Sequence, residues 1–75
     1  MSELLDPVDS TAVDAIGYDK NKHELYVLFR GSQKAYTYFD VPPEEYEDLK
    51  TADSVGNYVN LNIKPNYDYR PGGPL

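Results

Sequence analysis

The sequence predicts an α+β domain: a three-stranded antiparallel β-meander, then helical structure packed on one of its faces. Three observations point that way. Strand-type residues recur with period two between residues 24 and 40, interrupted once at Gly31-Ser32. The period changes at Val41-Pro42-Pro43, where prolines stand directly ahead of Glu44 and Glu45. The chain has 75 residues, enough for one small domain with a thin core.

Each element has its own local reason. In residues 24–30, Leu25, Val27 and Phe29 alternate with Tyr26, Leu28 and Arg30, so both faces are largely apolar and the strand is central. Residues 35–40 form the next strand, with Tyr36 and Tyr38 on one face and Thr37 and Phe39 on the other. Gly31-Ser32 opens a connection short enough for a hairpin, because glycine supplies positive φ. Residues 12–18 make a first strand of imperfect period, in which Gly17 marks a bulge. A helix follows over 43–51: the prolines suit its first turn, Glu44 and Glu45 complement the positive end of its dipole, and Lys50 the negative end. Tyr46 and Leu49 would face the sheet. Residues 53–64 are ambiguous. Val59, Leu61 and Ile63 alternate as in a strand, while Val55, Tyr58, Val59 and Ile63 sit at helical spacing, with Asp53 or Ser54 available as N-cap and Pro65 just past the end.

Charge and breakers divide the rest. Thirteen acids against seven bases give −6, which opposes broad binding to phosphate backbones. The balance is uneven: residues 20–39 carry +3, whereas 1–19 and 40–53 carry −5 each. Residues 1–9 read as a flexible acidic segment, 10–70 as the single domain, and 71–75 as a Pro/Gly tail. With no cysteine there is no disulfide and no thiolate site. No apolar run approaches a membrane span and no secretory leader is visible, so the expected protein is cytoplasmic, without membrane contact.

Several pieces, in order, resemble the KTSC domain family: Ala15-Ile16-Gly17-Tyr18-Asp19, then Leu25, Val27 and Phe29, then Tyr36-x-Tyr38, Val41-Pro42, Ser54-x-Gly56-x-Tyr58-x-Asn60-x-x-Ile63, and Tyr67. The resemblance covers about 10–67. It implies a β-meander followed by two helices, which turns 54–64 toward helix. The expected fold is then a three-stranded antiparallel meander followed by two short α-helices packed on one face. The family also occurs at the C-terminus of some lysyl-tRNA synthetases and as free-standing proteins of bacteria and phages. Its function is not established, and RNA binding has been suggested. One departure is the abrupt end at Lys64-Pro65.

The residues that could act are few. Tyr36 and Tyr38 could stack bases, or pack as core beneath the helices with their hydroxyls at its rim. A helix over 54–64 would place Asn57, Asn60 and Lys64 on one polar strip, which is also what an ordinary exposed helix face looks like. Arg30 and Lys34 supply positive charge beside the tyrosines. His23 is the sole histidine and lies in a loop, and Ser54-Val55-Gly56 lacks the glycines and lysine of a phosphate loop. No nucleophile–base or carboxylate pair suggests catalysis, and no cofactor or metal is expected.

The expectation is a monomeric, non-catalytic interaction module. Its candidate surface is Arg30, Lys34, Tyr36, Tyr38, Asn57, Asn60 and Lys64. The acidic charge favours a protein partner, while the tyrosines and the synthetase company favour RNA or single-stranded nucleic acid as the alternative. The expected core is Leu25, Val27, Phe29, Leu49, Val59 and Ile63.

Overall fold

The computed structural model describes residues 6–8, 12–31 and 35–72. Its centre is the expected meander: β2 (Val13–Asp19), β3 (Glu24–Phe29) and β4 (Ala35–Tyr38), paired antiparallel in sequence order. Two short strands extend it, β1 (Asp6–Pro7) beside β2 and β5 (Tyr69–Pro71) beside β4, so the sheet runs β1-β2-β3-β4-β5. The sheet therefore reaches past both boundaries drawn from composition. Asp6 and Pro7 pair with Ile16 and Ala15, and the Gly72 amide donates to the Ala35 carbonyl at 2.7 Å. Strands of two and three residues show no readable period, and proline at an edge leaves no inward amide unmade.

The bulge falls at Asp14, not at Gly17. Val13 lies opposite Phe29 and Ala15 opposite Leu28, which leaves Asp14 as the extra residue, while Gly17 pairs regularly with Tyr26. The bulged Asp14 carboxylate reaches the Arg30 guanidinium at 3.2 Å. In the β2–β3 loop, the Asp19 carboxylate accepts from the Asn21 amide at 2.9 Å, and His23 takes a positive φ of 56°. Gly31 turns the chain out of β3 at φ 83°, as expected for this connection.

Two helices cover one face. The first, α1 (Pro43–Lys50), has the acidic first turn and basic last turn read from the sequence. The second begins at Ser54, whose hydroxyl accepts from the Asn57 amide at 3.2 Å. It runs as one α-helical turn, α2 (Val55–Tyr58), and then widens into a π-helical segment over Val59–Ile63. The Lys64 amide bonds back to the Val59 carbonyl at 2.9 Å, five residues away. Helix, not strand, is thus the outcome for 54–64.

Leu49, Val55, Val59 and Ile63 from the helices pack on Val13, Ile16, Leu25, Val27 and Tyr38 from the sheet, with Val41 between the layers. Burying each aliphatic side chain here stabilises the fold by about 1.5–3 kcal/mol. Five of the six expected core residues are fully buried. Phe29 is the exception, half-buried at the margin. Tyr18 ties the layers together: its ring stacks on Tyr46 of α1 at 5.0 Å and its hydroxyl donates to the Val41 carbonyl.

Candidate functional site

The strand register decides where the tyrosines go. Leu25 pairs with Tyr38 and Val27 with Tyr36, so both tyrosines share the face of Leu25, Val27 and Phe29, which is the face the helices cover. Tyr38 is 2 % exposed and belongs to the core, whereas Tyr36 is half-buried. The helices reach the β2–β3 side fully and stop short of the β4–β5 side. Tyr69 stands opposite Tyr38 on β5 and is 56 % exposed.

The result is an open groove of about 390 Å³ lined by Phe29, Tyr36, Tyr38, Tyr69 and Lys64. Its rings touch in series. Phe29 meets Tyr36 edge-on at 5.5 Å, and Tyr69 lies 5.6 Å from both Tyr36 and Tyr38. The Lys64 ammonium sits 4.9 Å above the Phe29 ring. A shallower depression of about 460 Å³ continues from Lys64 and Tyr69 over Pro65, Asn66, Tyr67 and Asp68.

Electrostatics mark the same place. Burial pushes the Tyr38 phenol up to about 12, and the neighbouring Tyr69 and Tyr36 phenols add to that resistance to ionisation. Its hydroxyl has no protein partner among the described residues, yet none of their buried side-chain polar atoms is unsatisfied. The hydroxyl therefore opens on water in the groove. Elsewhere the phenols are spoken for. Tyr58 donates to the Glu45 carboxylate at 2.9 Å and Tyr67 to the same group at 3.5 Å. Tyr58 is pushed up to about 12 by burial, then by that bond.

The expected surface is only partly assembled. Tyr36, Tyr38 and Lys64 come together in the groove. Arg30 is paired with Asp14 instead, and Lys34 lies outside the described residues. Asn57 and Asn60 are exposed on the second helix and do not line the groove. The polar strip splits because a π-helical turn holds more residues than an α-helical one. Lys64 thus lags behind the α-helical register and swings away from Asn57. Arg70, opposite Thr37, lies on the other face of the sheet, against Phe39.

Sequence reasoning missed two groove residues. Phe29 reads as core because its strand alternates throughout, and Tyr69 stands beside the Pro/Gly tail. The spacing Tyr67-x-Tyr69 was the available signal. Among the described residues no group of three or more histidines or carboxylates could hold a metal ion. No helix among them is long and apolar enough to cross a membrane.

A model of the KTSC domain matches residues 9–67. A protein of Tsukamurella paurometabola is 41% identical over 63 residues, covering 84% of this chain and 92% of its own. An uncharacterized protein of Stutzerimonas stutzeri is 37% identical over 60 residues, 80% of this chain and 83% of its own. The crystal structure of a KTSC domain protein from Yersinia pestis superposes with a TM-score of 0.86 at 32% identity, covering 92% of this chain and 96% of that one.

Proposed function

This chain belongs to the KTSC domain family, and we propose that it is a small non-catalytic interaction module that binds a protein partner through the groove of Phe29, Tyr36, Tyr69 and Lys64. The observation that carries this reading is the open side of an otherwise roofed sheet face. A mostly exposed Tyr69 caps a row of aromatic rings, and tyrosine is among the residues that anchor protein interfaces. The net charge of −6 supports a protein over a polyanion. Nucleic acid would find one groove cation, Lys64, and of the two tyrosines expected to stack bases Tyr38 has no free face.

The module acts as a monomer. Among the described residues its sheet edges are β1 and β5. Pro7 and Pro71 discourage edge pairing, each blunting a strand of two or three residues.

A photo-crosslinking residue replacing Tyr69, with a control at Thr51 on the far end of α1, tests the reading in lysate of the source organism. Nuclease-resistant protein adducts at 69 and not at 51 are expected. No site-dependent adduct, or adducts lost on nuclease treatment, would overturn it.

A further inference from the structure

We infer that the groove recognises an acidic peptide segment, one carboxylate carried next to an aromatic or large apolar residue. This rests on the groove being the interaction site proposed above and specifies its ligand.

The argument starts from Lys64. In a chain with thirteen acids, its ammonium has no carboxylate within 4 Å among the described residues, whereas Arg30 and Lys50 each have one. It lies instead over the Phe29 ring, at the mouth of the groove. The π-helical segment ends directly before it, an irregularity frequent at functional sites. Lining the same groove are Tyr36, Tyr38 and Tyr69, whose hydroxyls are bonded to no other described protein group. The Tyr69 ring lies 5.6 Å from both of the others, so the three tyrosines stand side by side.

One ammonium and three O–H groups on an aromatic floor make a set of donors without a fixed acceptor. A carboxylate accepts short, charge-assisted hydrogen bonds from both kinds of donor. The rings then ask for a flat or apolar neighbour to that carboxylate, and about 390 Å³ holds a side chain or two, within the range of small ligand sites. A single groove cation matches a single negative charge.

Main-chain geometry points to a peptide. The Phe39 amide donates to the Asp68 carbonyl and the Gly72 amide to the Ala35 carbonyl, which makes Tyr38–Tyr69 and Tyr36–Pro71 the non-hydrogen-bonded pairs of the ladder. The N–H and C=O of Tyr69 therefore face outward along the open edge of β5. An extended segment can pair with that one residue, and Pro71, lacking an N–H, stops the pairing.

The test titrates isotopically labelled protein with the acetylated, amidated dipeptide phenylalanyl-aspartate. The lysine dipeptide and an oligouridylate serve as comparisons, with backbone amide shifts as the readout. Saturable shifts at Phe29, Lys64 and Tyr69 at about millimolar aspartyl peptide are expected, with weaker binding of the lysyl peptide. Lys64→Met, which keeps the stem over Phe29, should weaken the aspartyl peptide by roughly threefold to tenfold. Tyr69→Phe, at an exposed position, removes one hydroxyl without removing the ring and should weaken it less. Equal or tighter binding of the lysyl peptide would overturn the acidic assignment and leave the groove as an interaction site. Tighter binding of the oligouridylate, or no groove shifts with either peptide, would overturn it as well. Whether the groove meets a protein is then decided separately by the crosslink at Tyr69.

Discussion

One face of one sheet is built in two ways. Its β2–β3 side presents Val13, Ile16, Leu25 and Val27, all buried under Leu49, Val59 and Ile63. Its β4–β5 side presents Tyr36, Tyr38 and Tyr69, and exposure grows across them from Tyr38 to Tyr69. The roof accounts for the difference: an eight-residue α1 and a nine-residue second helix do not reach the far strand. Aliphatic side chains stand where water is excluded completely. Tyrosine stands where the roof ends, because its ring can pack while its hydroxyl stays wet. A margin of this kind is where a small domain can bind something without losing its core.

Four measurements break or sharpen that contrast. The largest effect belongs to the roofed side: Ile63→Ala should cost about 2–5 kcal/mol, a large part of what so small a domain has. Urea melts would show it, and a midpoint near wild type would mean that the second helix does not hold the sheet.

Phe29→Ala comes next. A fully buried phenylalanine costs about 3–5 kcal/mol on truncation, and this ring is only half-buried, so about 1–2 kcal/mol is expected and the variant should fold. A loss equal to that of Ile63→Ala would return Phe29 to the core.

The third uses pH. The phenols of Tyr26, Tyr38 and Tyr58 are each pushed up from 10 to about 12, with burial the first cause in all three. The folded state holds these protons more tightly than the unfolded chain. Their contribution is therefore complete below pH 10 and is lost as pH rises towards about 12. Thermal melts from neutral pH to about pH 11 should decline only above pH 10, and Tyr38→Phe should shallow the decline. A decline starting well below pH 10 would point to other groups.

Tyr69→Ala should change stability least, by under about 0.5 kcal/mol, as expected for an exposed side chain. The same variant should weaken the peptide-induced shifts at Phe29 and Lys64. Large destabilisation would make Tyr69 part of the fold and weaken the case for a binding margin.

The elements with many residues and a clear period were legible. Residues 24–29 alternate over their whole length, and Pro43 to Lys50 carries helix signals at both ends. The second helix needed the family resemblance, because Val59, Leu61 and Ile63 fit two periods at once and the π-helical widening fits neither cleanly. The short edge strands carry too few residues for a period, and the bulge at Asp14 is visible only against its partner strand.

The candidate site divides the same way. The sequence by itself determined that Tyr36 and Tyr38 share a face, since side chains alternate along any strand. It also determined that Val59 and Ile63 belong to the core and that acids outnumber bases. Only the tertiary structure decided that Tyr38 is core and Tyr36 margin, that Arg30 is taken by Asp14, and that Lys64 lies over Phe29 in a groove that Tyr69 also lines. The physical reason is that local spacing sets which way a side chain points. What covers it depends on how far a helix from elsewhere in the chain extends across the sheet, and no local pattern encodes that distance.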